Sequence, residues 1–280
     1  MSIPFEITNP SGDLIRGDLH LPSKKGGKPV PVAVICHGFK GFKDWGFFPY
    51  LAESLAHAGF AAVRFNFSHN GVSTDFDNFT CLEKFSVNTI GKEIEDLRAV
   101  LAAIAAGKLP EPGRLDPTRL ALLAHSRGSA STLLVGPKEK QVKVLATWAG
   151  LSTLDRWPDA VKEEWRRTGE VVILNTRTSQ EMPMKVSILE EFEAHREDYD
   201  ILKAVRNLEI PYLVIHGDED ETVPFEEGSL LHDNTPRGLR RFQIVPGAGH
   251  SFGAVHPFVG TTPDLEEAIR VTLDWFQARV

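Results

Sequence analysis

Short apolar runs of β-forming residues alternate along this chain with longer stretches whose apolar positions recur at helical spacing. Val32-Ala33-Val34-Ile35-Cys36, residues 119–123, residues 142–147 and Tyr212-Leu213-Val214-Ile215 are near-continuous apolar runs of strand length, which predicts strands buried on both faces. Residues 60–67 and 241–245 read as further strands. Residues 5–9 and 14–21 flank Pro10-Ser11-Gly12-Asp13, the composition of a hairpin turn. Three helices stand out. Residues 48–58 are amphipathic and close at Gly59; Ile90, Ile94, Leu97, Leu101 and Ile104 form one stripe; a last helix starts at about Pro263 with Leu265, Ile269, Thr272, Leu273 and Phe276 inward. Gly107 and residues 110–117 break the chain between elements. Strands alternating with helices predict an α/β fold, a mostly parallel sheet with helices on both faces, whose ligands bind beyond the carboxyl ends of the strands.

Three of those strand ends carry chemistry. The run 119–123 leads into Ala124-His125-Ser126-Arg127-Gly128, an order of strand, sharp turn and small-residue helix start. A serine on such a turn is pushed out at the top of a sheet, and the next residue can offer its backbone N–H to an oxyanion. The alternative reading is a serine that caps the following helix. Tyr212–Ile215 ends in His216-Gly217-Asp218-Glu219-Asp220-Glu221-Thr222-Val223-Pro224, and 241–245 ends in Pro246-Gly247-Ala248-Gly249-His250. Serine, acid and histidine thus follow strands in that chain order. A serine hydroxyl is a poor nucleophile at neutral pH, so it needs a base with a pKa near the working pH. The imidazole in turn needs a carboxylate to fix its tautomer. Of the ten histidines, His250 is the candidate base because it follows a late strand through a Gly-x-Gly turn; His256 is the runner-up. His37 and His216 sit in His-Gly turns and read as local supports, and His69 lies in a loop expected to face the pocket. Asp218, Glu219 and Asp220 all compete for the role of acid.

The order and the motifs resemble the α/β-hydrolase superfamily. Many of its members carry His-Gly-x-x-Asp-x-x-Val-Pro after the seventh strand, and the aspartate of that pattern corresponds to Asp220 here, followed by Val223-Pro224. The resemblance therefore implies a Ser126, Asp220, His250 triad and leaves Asp218 to shape the turn. Ala124 replaces the usual first glycine of the elbow. His37-Gly38-Phe39 resembles the superfamily's oxyanion motif, which implies backbone donors at Phe39 and Arg127, worth roughly 2.7–4 kcal/mol each where one has been removed. Residues 66–73 resemble its polar loop before the second long helix.

Residues 151–207 break the alternation where such hydrolases commonly insert a cap, giving an expected division into a core of 1–150 with 208–280 and a cap of 151–207. Within the insertion, 157–165 and 187–197 read as helical and 169–181 as a short β excursion. Gly169-Glu170-Val171-Val172 and Tyr199-Asp200-Ile201 resemble caps of bacterial feruloyl and cinnamoyl esterase-like hydrolases. His125, Trp148, Trp157 and Met182 are candidate pocket residues, with packing between cap and core as the competing role of each.

Composition narrows the classes further. The chain has 280 residues, 42% hydrophobic and 25% charged, with net charge −7. The acidic balance and the lack of a basic run with interleaved aromatics argue against a nucleic-acid partner. Two cysteines, Cys36 and Cys81, are too few for a disulfide framework. No stretch reads as a secretory signal or a membrane span, so the expected location is the cytoplasm. There is no His-Glu-x-x-His, no paired Cys-x-x-Cys and no phosphate-binding Gly-rich loop, so neither metal nor cofactor is expected. The sequence thus points to a serine hydrolase acting on small carboxylic esters through an acyl-enzyme. A small acylpeptidase-like amide hydrolase or a thioesterase uses the same triad, and a noncatalytic ligand-binding relative is the alternative outside enzymes.

Overall fold

A computed structural model of the chain describes residues 2–23, 27–73, 75 and 78–280. Two strands open it as an antiparallel hairpin, β1 (Ser2–Thr8) and β2 (Leu14–His20). Then come β3 (Val30–Cys36), α1 (Phe48–His57), β4 (Ala61–Phe65), the short α2 (Leu82–Phe85) and α3 (Ile90–Ala105). The elbow follows, with β5 (Leu115–His125), α4 (Gly128–Val135) and β6 (Val142–Trp148). Between β6 and the next strand of the main sheet come α5 (Asp159–Thr168), β7 (Glu170–Asn175), β8 (Gln180–Lys185), α6 (Ser187–Ala194) and α7 (Ile201–Arg206). The chain finishes with β9 (Tyr212–Gly217), α8 (Phe225–Asn234), β10 (Arg240–Val245) and α9 (Pro263–Gln277).

Eight strands make one sheet in the order β1-β2-β4-β3-β5-β6-β9-β10. The two edge pairings of β2 are antiparallel and every pairing from β4 to β10 is parallel. The apolar runs are continuous because successive side chains bury on opposite faces. Val32, Val34 and Cys36 of β3, Leu120, Leu122 and Ala124 of β5, and Tyr212 and Val214 of β9 meet α3, α4 and α7 on one face. Ala33, Ile35, Ala121, Leu123, Leu213 and Ile215 meet α1 and α9 on the other. Thr89 and Thr262 cap α3 and α9, accepting from the amides of Lys92 (3.3 Å) and Leu265 (3.1 Å).

The start of β5 differs most from the sequence pattern. Strand β5 begins at Leu115, inside the stretch read as a break, and Pro117 lies within it. The pairing jumps from Pro31↔Asp116 to Val32↔Leu120, so a bulge takes up residues 117–119 and Pro117 is spared a ladder hydrogen bond it cannot donate.

The β excursion in the insertion is the two-stranded sheet β7–β8. Its inner face packs Met182 and Met184 with Trp165 of α5, Ile188 and Leu189 of α6, Phe85 of α2, and Phe42 and Phe79 from loops. The Trp165 indole N–H donates to the Met184 carbonyl at 2.8 Å. The Lys185 amide donates to the Ser86 carbonyl at 2.8 Å, and Gln180 brackets the backbone of Phe79 with two 3.0 Å bonds. Helix α7 packs differently: Ile201 and Val205 enter the core beside α4 and α8. No described helix is long and apolar enough to cross a membrane.

Candidate active site

Ser126 stands between β5 and α4 with φ +54°, in the left-handed region. A non-glycine residue there costs roughly 1–2 kcal/mol, so the surroundings must hold it. Its amide donates to the Trp148 carbonyl at 2.9 Å, and its carbonyl accepts from the Ser129 amide at 2.9 Å. The turn runs tightly under the end of β3. A Cβ on Gly128 would lie 2.5 Å from the His37 carbonyl oxygen and 2.8 Å from that of Cys36, and one on Gly38 would lie 2.8 Å from the Ser126 Cβ. Both positions therefore need glycine.

Asp220 follows β9 and His250 follows β10, neighbouring strands, so both loops open at the same edge of the sheet as Ser126. His250 Nδ1 donates to Asp220 Oδ2 at 2.8 Å. The Asp220 side chain is shut off from solvent, and its Oδ1 accepts from the amides of Thr222 and Val223, both at 2.9 Å. His216 Nε2 lies 3.4 Å from Oδ2 and 2.9 Å from the Val223 carbonyl. Burial opposes ionisation of Asp220, but hydrogen bonds from His216, His250 and Val223 outweigh it and hold the carboxyl well below the usual carboxylate range. An imidazole whose Nδ1–H is held by a carboxylate turns Nε2 outward as an acceptor. Asp218 is used otherwise: its Oδ1 accepts from the Gly247 amide at 2.6 Å and ties the β9 and β10 loops together.

Ser126 and His250 open onto one cavity of about 520 Å³, a volume suited to a small organic ligand. Phe39, Lys40 and Arg127 line it from the core side, Leu151, Leu154, Arg156, Trp157 and Ile173 from the insertion, and Thr222 and Val223 from the β9 loop. Among the described residues, the backbone amides of Phe39 and Arg127 have no intramolecular acceptor. The loop bearing Phe39 is fixed by His37. Its Nδ1 donates to the Gly38 carbonyl at 2.9 Å and its Nε2 accepts from the Phe67 amide at 3.2 Å, while burial lowers its pKa to about 4 and keeps it neutral. The Arg127 guanidinium lies over the Phe39 ring, 5.1 Å from its centroid, with its Nε 3.2 Å from the Glu93 carboxylate. Burial raises the pKa of Glu93, and Arg127 opposes that rise.

The sequence from residue 33 to 261 matches the model of the alpha/beta hydrolase family, most of the chain. The chain belongs to the alpha/beta hydrolase family. It is a hydrolase by that membership. No curated protein matches its sequence. Among solved structures it is similar to the esterase domain of a Rhodothermus marinus protein, at 21% identity over 100% of this chain and 99% of that one with a TM-score of 0.66. It is also similar to Est1E from Butyrivibrio proteoclasticus with ferulic acid bound, at 21% identity over 98% of each chain with a TM-score of 0.72. A puromycin-hydrolyzing peptidase of Mycobacterium tuberculosis shares 18% identity over 99% of this chain and 39% of its own, with a TM-score of 0.67. At these identities the likeness establishes the fold.

Of the four pocket candidates in this hydrolase, Trp157 alone lines the cavity. Trp148 is fully buried beneath it, packed on Phe47 and Phe252 with its indole N–H on Thr272 at 2.9 Å. Met182 is buried within the β7–β8 cluster, outside the cavity lining. His125 sits against Phe47 and Phe48 with its ring centroid 4.7 Å from that of His250, and its Nε2 donates to the His250 backbone carbonyl at 2.9 Å. Burial, with His250 nearby, lowers its pKa to about 3, so it is a neutral strut. His256 accepts from the Gly46 amide at 3.0 Å and stacks on Trp45. His69 is buried beside Ser68, outside the cavity lining. The sequence reading missed Lys40, Arg156, Ile173 and the bond from His216 to Asp220. Only His216 had a signal, its place in the same turn as the acid. Among the described residues no cluster of three or more His, Cys, Asp or Glu is arranged to hold a metal.

Proposed function

We propose that this hydrolase cleaves carboxylic esters by a serine mechanism. The observation that carries the proposal is the 2.8 Å bond from His250 to the buried Asp220, at the rim of the cavity that also receives Ser126 on its left-handed turn. In this reading His250 Nε2 takes the Ser126 proton as the hydroxyl oxygen attacks the ester carbonyl. The oxyanion that forms accepts from the Phe39 and Arg127 amides, roughly 3 kcal/mol of transition-state stabilisation for each donor. His250 then gives its proton to the departing alcohol. Water enters, His250 takes its proton as the water oxygen attacks the acyl carbonyl, and the acyl–Oγ bond then breaks as His250 returns the proton to Ser126, releasing the acid. Asp220 holds the tautomer and stabilises the imidazolium.

The insertion acts as a cap in this proposal, with residues 151–173 forming one wall of the cavity and setting substrate shape. The substrate is a small ester, without nucleic acid or membrane as partner. Cys36 and Cys81 are free thiols, which suits the cytoplasm. The test is a panel of activated esters, thioesters and peptide amides assayed beside Ser126→Ala, with fluorophosphonate labelling to locate the nucleophile. Ester turnover that disappears in Ser126→Ala is the expected result. Full activity in Ser126→Ala, or turnover of amides alone, overturns the proposal.

A further inference from the structure

Four charged or chargeable groups face the cavity, and three of them are compensated. His250 is bonded to Asp220, and Arg127 lies against Glu93. Arg156 pairs with Glu227, whose other oxygen accepts from the Ser152 amide at 2.8 Å. Lys40 is the exception. Among the described residues its ammonium has neither a carboxylate nor a hydrogen-bond partner. It is half-buried, and burial alone, with no charged neighbour contributing, lowers its pKa. Long cationic side chains ordinarily carry their charge out to water. Here the fold keeps the lysine at φ +54°, a conformation that glycine or asparagine takes more cheaply, one residue from the Phe39 amide. A cation that the described residues leave uncompensated, in the lining of the cavity shared with Ser126 and at a backbone cost, is suited to receive an anion.

We infer that Lys40 recognises a carboxylate carried by the substrate, so that the preferred esters bear a negative charge on the acyl or the alcohol arm close to the scissile bond. The inference rests on the ester-hydrolase reading and names the substrate class for that same site. The ammonium supplies a charge-assisted hydrogen bond within a partly water-excluded cavity, where such a contact outweighs its counterpart in bulk water. The apolar wall of Leu151, Leu154, Trp157 and Ile173 takes the rest of the ligand.

Two matched pairs of substrates test it. The mono-4-nitrophenyl ester of adipic acid against 4-nitrophenyl hexanoate places the charge on the acyl arm; 4-acetoxybenzoate against its methyl ester places it on the alcohol arm. Each is assayed with wild type, Lys40→Met and Lys40→Arg, and Ser126→Ala supplies the background. In one pair, Lys40→Met is expected to lower kcat/KM for the anionic member at least tenfold more than for the neutral one, a difference of about 1.4 kcal/mol. Lys40→Arg should recover most of it, and added salt should erode the wild-type preference. Equal losses for both members of both pairs would overturn the inference and assign Lys40 to the general field of the site. Adipate binding, measured by calorimetry on Ser126→Ala and on Ser126→Ala/Lys40→Met, reads the receptor without turnover. Binding weakened in the double variant supports it, and indistinguishable binding overturns it. Absence of Ser126-dependent turnover of every ester would overturn the esterase reading instead, with the calorimetric result still deciding the role of Lys40.

Discussion

Replacing Asp220 with asparagine changes one atom, and the surroundings dictate which one. Oδ1 accepts two backbone amides, from Thr222 and Val223, each at 2.9 Å. If the asparagine amide nitrogen took that place, two buried donors would face a third donor, at a cost of about 1–3 kcal/mol for each unpaired group. The asparagine oxygen therefore stays at the Oδ1 position, and its NH₂ takes the Oδ2 position opposite His250 Nδ1. The imidazole must then accept there and carry its proton on Nε2, the nitrogen meant to receive the Ser126 proton. The expected result is a fall in kcat of roughly 10³–10⁴, the size of effect seen when a serine protease is given the wrong tautomer, about 4–5.5 kcal/mol. KM should change little, since the Asp220 carboxyl is shut off from the cavity. Asp218→Asn is the control. Its remaining oxygen can still accept from the Gly247 amide, so activity should stay within a few-fold of wild type. Steady-state kinetics on an activated ester, with circular dichroism to confirm folding, decide the matter. A loss below tenfold in Asp220→Asn, or a larger loss in Asp218→Asn, would refute the argument.

Other perturbations test the scaffold around the site. Gly128→Ala forces a methyl group against the His37 and Cys36 carbonyl oxygens, neither of which can move without shifting β3; a loss of about 1–3 kcal/mol in denaturant unfolding is expected, together with falling activity, and wild-type stability would contradict the close approach. His125→Phe keeps the packing against Phe47 and Phe48 but leaves the His250 carbonyl without its donor; kcat should fall about tenfold at unchanged KM, and an unaltered kcat would show that the strut is dispensable. Burial lowers the pKa of His20, His37 and His69 to about 4 and of His125 to about 3. The unfolded chain takes these protons near pH 6.5, so folding stability is complete above that pH and is lost as pH falls towards 4, by up to about 1.4 kcal/mol per pH unit for each histidine. Asp96, raised to about 6 by burial, acts in the opposite sense and offsets one of the four. Thermal unfolding should therefore show Tm falling from pH 6.5 to 4.5, and a flat or rising Tm would contradict the buried neutral state of these rings.

The sequence by itself determined what depends on local pattern. Apolar runs with both faces buried, the Ile90–Ile104 stripe and the glycines at sharp turns each follow from the periodicity of a strand or helix, so the alternating order of elements and the ends bearing Ser126, Asp220 and His250 were legible. A strand end is fixed by a few consecutive residues, and the family's topology brings such ends to one edge. Side-chain direction at those ends was not legible. Trp148 and His125 lie near the serine in sequence and register, yet the sheet turns them into the core, where Thr272 and the His250 carbonyl hold them. The start of β5 depended on a bulge opposite Pro31, a property of the pairing between two strands. The cavity was beyond reach for the same reason. Its walls come from six separate stretches of chain, and the uncompensated charge of Lys40 is visible only once the described carboxylates have been placed by tertiary packing.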